Sequence, residues 1–391
     1  MTLAKIVFPM GLLLPGSMAF CQQTGTVVGR TPGSAARAGI TVTRIIPKAI
    51  CETPGSASAG EVRSLPEMLF ARSWDNLVCI RHVDGKTEQL RRDVPDGVAS
   101  ADGSAIAYWN SDKHELHVFL TASGANTVVE NLPGANLRDM AWSAKGHVLS
   151  YLPTSASPAG IRSFDADSGK WILFEGSFVG VVAPPDAKHA VAVNVDGVKS
   201  FSLTDATGEV IAKVKYAASA EYSGGGKYLG ILGSTSIAEQ NRPPATAAQA
   251  PIEEDDGPDC TGGSFALILQ DTRTKQLVDV PFPKGFDTVL DFAFSPDENA
   301  IAVTFGVVGC DYPGDRARIY LVSLPNMKLT PISPEDKLSV KPVWTPDGKT
   351  IVYLDYTGSD SPLVALELAT RKVSRLTNPG QFGPDTWLAW R

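Results

Sequence analysis

Residues 343–356, with the sequence VWTPDGKTIVYLDY, place an apolar strand, a Pro-Asp-Gly turn and a second apolar strand in one short stretch. The Asp-Gly pair suits a tight hairpin because Gly and Asp tolerate positive φ better than most residues. This stretch therefore predicts a β-hairpin, and the fold depends on whether the hairpin is repeated.

The same pattern recurs along the chain. Close copies are AFSPDENAIAVTF from Ala293, AWSAKGHVLSYL from Ala141 and VASADGSAIAYW from Val98, and looser copies are VAPPDAKHAVAV from Val182 and EYSGGGKYLGIL from Glu221. The turn position is held by Asp102, Lys145, Asp186, Gly225, Asp297 and Asp347. These turns recur about every 40 to 50 residues, apart from a longer interval that contains an insertion at residues 236–262, and this period is typical of β-propeller blades.

The flanking strands set the number of blades. Each hairpin is followed by a third and a fourth apolar segment, so six turns give six four-stranded units. Before them, residues 67–93 supply three strands without an inner one, and the C-terminal GPDTWLAWR is similar to an inner strand. We therefore predict an all-β propeller of seven four-stranded blades, in which the C-terminal strand completes the first blade and hides exposed sheet edges. Six or eight blades are the alternatives.

The segments FSPDENAIAVTF and WTPDGKTIVYL resemble the TolB-type, WD-repeat-like propeller motif, in which an aromatic-Ser-Pro-Asp-Gly turn precedes an apolar strand. The resemblance covers residues 66–391 and implies a propeller without implying an activity. TolB itself has an α/β domain before its propeller, and residues 22–65 are too few to form one. The resemblance therefore implies a TolB-type propeller that is not TolB itself.

The N-terminus predicts export. Lys5 precedes an apolar stretch from Ile6 to Leu14 and then small residues, an order typical of a secretory signal peptide. The stretch is shorter than a membrane span, which needs about 20 apolar residues. We predict a signal peptide at residues 1–21, cleaved after Ala19 or Cys21, an extension at 22–65, a propeller at 66–391, and a periplasmic or secreted protein without a membrane span.

The remaining cysteines agree with export. Cys51, Cys79, Cys260 and Cys310 form an even set, which in an oxidising compartment predicts two disulfides with three alternative pairings. Equivalent loops of neighbouring blades lie side by side, so we favour Cys260–Cys310, which leaves Cys51–Cys79 to attach the extension to the first blade.

Charge and motifs restrict the function. The net charge of −7 and the absence of a basic run argue against nucleic-acid binding. The sequence has no G-x-S-x-G, P-loop or G-x-G-x-x-G motif, and HELH at residues 114–117 lacks the H-E-x-x-H spacing. We predict no cofactor and no catalytic residues, although an enzyme stays the alternative.

Two sets of polar residues are candidate sites. Asp139, Ser219, Asp291 and Lys341 share one position on predicted inner strands, and together with Trp387 they are candidates for the channel mouth; the alternative is a ring of solvated, mutually paired side chains. The acidic residues Asp255, Asp256, Asp259 and Asp311 are candidate Ca²⁺ ligands, although they lack EF-hand spacing and solvated acidic loops are common.

A repeated aromatic position, held by Trp142, Tyr222, Phe294, Trp344 and Trp390, predicts packing between blades. Trp109 is predicted to be less constrained.

The leading hypothesis is a binding or scaffold module that docks a protein or an envelope component through its loop face. The alternative is a metal-dependent propeller enzyme, similar to a lactonase, lyase or hydrolase, with carboxylates at the channel mouth. Such an enzyme would bring together at least three of Asp139, Asp291, Lys341, Glu221 and Asp385. The oligomeric state is not predicted.

The disulfide assignment makes a first testable prediction. Peptide mapping of the exported chain without reductant is expected to yield Cys51–Cys79 and Cys260–Cys310. Because the second bond closes a loop of about 50 residues, Cys310→Ser should lower the free energy of unfolding by up to about 4 kcal/mol in urea titrations. Ser236→Ala, in the same predicted insertion as Cys260 but outside both predicted bonds, is the control, and a map that pairs Cys51 with Cys260 would contradict the assignment.

Overall fold

The computed structural model of this chain is a closed ring of seven four-stranded antiparallel sheets. It describes residues 65–72, 77–83, 86–91, 97–233, 264–307, 316–324, 326–335, 337–356, 361–376 and 388–390. Within these ranges every regular element is a strand, and no helix is long and apolar enough to cross a bilayer. The predicted all-β propeller with seven blades is confirmed.

The strands of each blade are given from the inner to the outer edge. Blade 1 contains β28 (Leu388–Trp390), β1 (Met68–Arg72), β2 (Leu77–Arg81) and β3 (Thr87–Arg91). Blade 2 contains β4 (Gly97–Ala99), β5 (Ala105–Asn110), β6 (Glu115–Leu120) and β7 (Asn126–Asn131). Blade 3 contains β8 (Asn136–Trp142), β9 (Val148–Thr154), β10 (Gly160–Asp165) and β11 (Lys170–Glu175). Blade 4 contains β12 (Gly180–Val182), β13 (His189–Asn194), β14 (Gly197–Ser202) and β15 (Gly208–Lys213).

The last three blades repeat the same order. Blade 5 contains β16 (Ala217–Tyr222), β17 (Tyr228–Gly233), β18 (Ala266–Asp271) and β19 (Leu277–Asp279). Blade 6 contains β20 (Thr288–Phe294), β21 (Ala300–Gly306), β22 (Ala317–Ser323) and β23 (Lys328–Pro331). Blade 7 contains β24 (Leu338–Trp344), β25 (Thr350–Tyr356), β26 (Leu363–Glu367) and β27 (Val373–Arg375).

The two ends of the chain close the ring. β28 pairs antiparallel with β1, with Met68 opposite Trp390 and Phe70 opposite Leu388. The C-terminal strand is thus the inner strand of blade 1, as predicted. This pairing covers the inner edge of β1, which would otherwise be open for another strand to join.

The core is divided among the boundaries between blades. Among the described residues, seven apolar clusters are buried, and each joins at least two neighbouring blades. At the boundary of blades 4 and 5, for example, Val191 and Val193 pack with Leu229 and Ile231. Each sheet is covered on both faces by its neighbours, so each blade depends on the next for its burial.

The repeated aromatic position links neighbouring inner strands. The indole Nε1 of Trp142 donates to the carbonyl of Val98 at 3.0 Å, and that of Trp344 donates to the carbonyl of Ala293 at 2.9 Å. In both cases the acceptor lies on the inner strand of the preceding blade. Phe294 is also buried, and Tyr222 packs against the cluster between blades 4 and 5, so packing between blades is confirmed for these four residues. The side chain of Trp390 lies outside what the structure describes. Trp109, predicted to be less constrained, is instead only 5% exposed, because it packs in the cluster between blades 2 and 3.

The turn between the first two strands of a blade has an internal geometry that recurs within this chain. In blade 7, the Thr345 hydroxyl donates to Asp347 at 2.7 Å and accepts the amide of Thr350 at 3.1 Å. In blade 6, Ser295 makes the equivalent bonds to Asp297 and Ala300. The buried hydroxyl and the carboxylate thus satisfy turn amides that no strand can pair.

Blade 5 lacks this turn carboxylate because Gly225 occupies the position. Glu298, in the turn of blade 6, supplies it: its Oε1 accepts the Ser223 hydroxyl, the Gly225 amide at 2.9 Å and the Lys227 amide at 3.1 Å. Glu298 has a φ of 58°, at a turn position where blades 2, 3, 5 and 7 have glycine. A non-glycine residue there is strained, and the bonds to blade 5 offset that strain.

The Glu298 contact predicts that one substitution destabilises the protein and that a second substitution restores its stability. Glu298→Gly restores the usual turn residue but leaves the buried Ser223 hydroxyl and two amides without their charged acceptor, so we expect a loss of about 1–3 kcal/mol in the free energy of unfolding. Gly225→Asp added to this variant should restore most of it. Gly225 does not have positive φ, and the atoms nearest to a Cβ added there all belong to the Glu298 carboxylate, the first at 2.8 Å.

The measurement is chemical unfolding of the two single variants and the double variant. Gly225→Asp alone is expected to destabilise, since it places a second carboxylate against Glu298. A double variant as unstable as Glu298→Gly would contradict the shared role of the two positions.

Candidate functional site

The predicted channel residues lie at β-bulges on the inner strands. In β8, β16 and β20 the pairing with the second strand shifts immediately before Asp139, Ser219 and Asp291. In β24 the shift falls between Val340 and Val343 and includes Lys341, which has a φ of 55°. Bulges bend a strand and redirect its side chains, and they are over-represented next to functional sites. The four residues therefore occupy one equivalent position in blades 3, 5, 6 and 7, as their register predicted.

Asp139 uses its carboxylate to join two blades. Its Oδ2 accepts the amide of Val181 on β12 at 2.8 Å, and its Oδ1 accepts the amide of Met140 at the same distance. A Cβ at Gly180 would lie 2.9 Å from Oδ2, so glycine permits this approach. Burial raises the pKa of Asp139 to about 6, outweighing the two amides and the neighbouring Arg138.

Glu221 is the second unusual carboxyl group on an inner strand. It lies in β16 one residue before Tyr222, and its side chain is exposed to solvent although protein surrounds it. Burial alone raises its pKa to about 7. Water access together with the loss of bulk hydration is what a narrow, water-filled channel would produce. In the described part of the chain, its carboxylate has no hydrogen-bond partner.

The structure describes only some of the other candidate site residues. Ser219, Asp291 and Lys341 are all half-buried on inner strands, each on its own blade. Trp387 and Asp385 lie outside the described residues, as do the candidate calcium ligands Asp255, Asp256, Asp259 and Asp311. In the ranges that the structure describes, no group of three or more His, Cys, Asp or Glu side chains could hold a metal ion.

The longest connections leave the propeller from one rim. Gly233 pairs with Ala266 at the ends of β17 and β18, and Gly306 pairs with Ala317 at the ends of β21 and β22. Each connection joins the second strand of its blade to the third strand of the same blade. Because blades 5 and 6 are neighbours, the ends of the two connections lie close together on the same side of the ring. The short turns between the first and the second strand of each blade lie on the opposite side of the ring. They include the turns in which a Ser or Thr hydroxyl donates to an Asp carboxylate two residues later.

One predicted disulfide cysteine is described. Cys79 is fully buried in β2, in the cluster that joins blade 1 to blade 7. Cys51, Cys260 and Cys310 lie outside the described residues. The pairings Cys51–Cys79 and Cys260–Cys310 therefore stay predictions.

Comparison with known proteins shows the fold. No protein-family model and no curated protein match the chain. Among solved structures, an oligogalacturonate lyase in complex with manganese is 11% identical, with 78% of this chain and 92% of that chain covered at a TM-score of 0.53. A functionally unknown protein from Desulfotomaculum acetoxidans is 10% identical, with 83% and 99% covered at 0.52. TolB from Acinetobacter baumannii is 14% identical, with 82% and 81% covered at 0.46.

These likenesses agree with the seven blades seen here. At identities this low they show the fold alone, because propellers host both binding and catalytic functions.

The raised pKa of Glu221 predicts that the stability of the protein falls as pH rises, and Glu221→Gln would remove this pH dependence. Because the pKa of Glu221 is raised to about 7 by folding, the native state binds this proton more tightly than the unfolded chain does. Glu221 therefore lowers stability progressively as pH rises from about 4.5 to about 7. We expect Glu221→Gln to raise Tm relative to the natural chain at pH 8, with little difference at pH 4.5.

Thermal melts between pH 4.5 and pH 8 provide the measurement. Glu209→Gln, at an exposed position on the outer strand β15, is the matched control and should give a difference that does not grow over this range. A Glu221→Gln difference that is constant with pH would show that folding does not raise the pKa of this carboxyl group.

Proposed function

We propose that this chain is an exported propeller that binds a protein partner through the rim carrying its strand 2 to strand 3 connections. The observation that carries the proposal is the origin of the two longest connections between second and third strands. They begin and end at Gly233–Ala266 and Gly306–Ala317, on neighbouring blades and on one rim. A rigid scaffold that presents variable loops side by side is the usual arrangement for recognition.

The sequence of these connections defines the chemistry of the partner. Between Gly233 and Ala266 lie Glu253, Glu254, Asp255, Asp256 and Asp259, and between Gly306 and Ala317 lie Asp311 and Asp315. This sign of charge favours a partner with a basic surface, since complementary charge speeds association and excludes acidic competitors. The overall charge of −7 acts in the same direction.

The ring supports the proposal through its rigidity. Blade boundaries are fixed by apolar clusters and by bonds such as those of Trp142 and Trp344. Because the ring is held in this way, the described ends of the connections lose little conformational entropy when a partner docks, which favours binding. The engagement of the Asp139 carboxylate by Val181 also gives one of the channel carboxylates a structural role.

The test is capture of exported proteins on the immobilised mature chain, with quantified binding at low and physiological salt. We expect a basic protein to be captured, and Asp255→Asn combined with Asp256→Asn should weaken its binding more at low salt than at high salt. The control replaces two exposed glutamates on outer strands, Glu175→Gln with Glu209→Gln, and should bind as the natural chain does.

Two outcomes would contradict the proposal. Equal binding by the loop variant and the outer-strand control would show that the acidic rim does not recognise the partner. A rise in Tm with one divalent metal that EDTA abolishes would favour the metal-dependent enzyme, because a ligand of the native state at 100 times its Kd adds about 2.7 kcal/mol.

A further inference from the structure

A serine, a histidine and an aspartate meet on the rim opposite the long connections. Ser104 lies in the β4–β5 turn of blade 2, His147 in the β8–β9 turn of blade 3, and Asp167 in the β10–β11 turn of blade 3. The hydroxyl oxygen of Ser104 lies 3.1 Å from His147 Nε2, and His147 Nδ1 lies 2.9 Å from Asp167 Oδ1. A nucleophile, a base and an orienting carboxylate are thus placed in sequence.

We propose that Ser104 is a nucleophilic serine, activated by His147 and oriented by Asp167, which accepts acyl groups from activated esters. The Asp167 carboxylate accepts the Nδ1 proton, so Nε2 of neutral His147 carries no proton and lies beside the Ser104 hydroxyl oxygen. In the structure that hydroxyl donates its proton to Asp102, and a rotation about the Cβ–Oγ bond turns the proton to His147 before attack. Ser104 is half-buried and His147 has a third of its side chain exposed, so a small ester can reach both.

The acyl transfer balances within these residues and the ester. The Ser104 hydroxyl proton moves to His147 Nε2 as Oγ bonds to the carbonyl carbon. The bond from that carbon to the leaving oxygen then breaks, and the imidazolium returns the proton to the leaving alcohol. The products are O-acyl-Ser104 and the free alcohol.

A fourth residue determines the pH range. Asp102 Oδ1 accepts the Ser104 hydroxyl at 2.7 Å and its Oδ2 lies 3.4 Å from His147 Nε2, so two carboxylates face the ring. Hydrogen bonds to Asp167 and Asp102 raise the pKa of His147, the first more than the second. His147 is the required neutral base only above that pKa, and acylation should therefore increase towards alkaline pH.

The backbone around Ser104 limits the reaction to acyl transfer without fast turnover. The amide of Ser104 donates to Asp102, and those of Gly103 and Ala105 donate to the carbonyl and the hydroxyl of Ser100. Since these amides are already engaged, they do not stabilise an oxyanion, which is usually the largest contribution to rapid hydrolysis.

The test uses p-nitrophenyl acetate with the full mature chain, followed by p-nitrophenol release and peptide mass spectrometry. Ser168 provides an internal comparison, because its hydroxyl donates to Asp165 at 2.6 Å in a turn of the same rim without a facing histidine. At pH 8 we expect acetylation of Ser104 to be about 100-fold faster than that of Ser168, the usual scale of general-base catalysis.

The variants distinguish activation of Ser104 by His147 from simple exposure of the Ser104 hydroxyl to the ester. His147→Gln should reduce acetylation of Ser104 to the rate of Ser168, and Asp167→Asn should move the pH inflection of Ser104 acetylation to lower pH. Ser104→Ala should abolish the fast phase of p-nitrophenol release and Ser168→Ala should not change it, with thermal melts confirming that each variant folds. Equal acetylation of the two serines, an unchanged rate in His147→Gln, or acetyl transfer to His147 alone would overturn the proposal.

Discussion

The structure depends on the burial of each blade against its two neighbours. A four-stranded sheet that is apolar on both faces has no stable state alone, and here every one of the seven buried clusters lies across a boundary between blades. The boundary of blades 7 and 1 is no exception, because Met68 and Cys79 pack with Val340 and Leu354. Contact of blade 1 with blade 7 is therefore a requirement for the core itself, and the pairing of β28 with β1 completes blade 1 at its inner edge.

Contacts between neighbouring blades also explain how a single blade can depart from the repeated turn sequence. Blade 5 has lost the turn aspartate, and Glu298 of blade 6 supplies the missing oxygen at a position strained for any residue but glycine. The strain in one turn is offset by the satisfaction of buried donors in the next. Asp139 makes a comparable contact between inner strands, where Gly180 leaves room for its carboxylate.

The two rims of the ring have different chemistry. On one side, short turns hold their aspartates in fixed hydrogen bonds, which lower the pKa of Asp297 and Asp347 and which bring Ser104, His147 and Asp167 together. On the other side, the two longest connections between second and third strands begin and end at paired strand termini of blades 5 and 6. Rigid turns suit a defined group of side chains, whereas long connections suit the recognition of a partner.

The spacing of strands and turns along the chain was enough to predict the propeller, its seven blades, the closing strand and the aromatic contacts between blades, because each of these follows from a period of apolar strands and turns. It also placed Asp139, Ser219, Asp291 and Lys341 in register, since strand position follows from spacing. Which polar groups meet became visible only in the folded ring. Glu298 and Gly225, like Ser104 and His147, lie on different blades and far apart along the chain, and their contacts depend on how neighbouring turns are rotated around the ring. Burial of Trp109 and the raised pKa of Glu221 also depend on neighbouring blades, for which a single strand carries no signal.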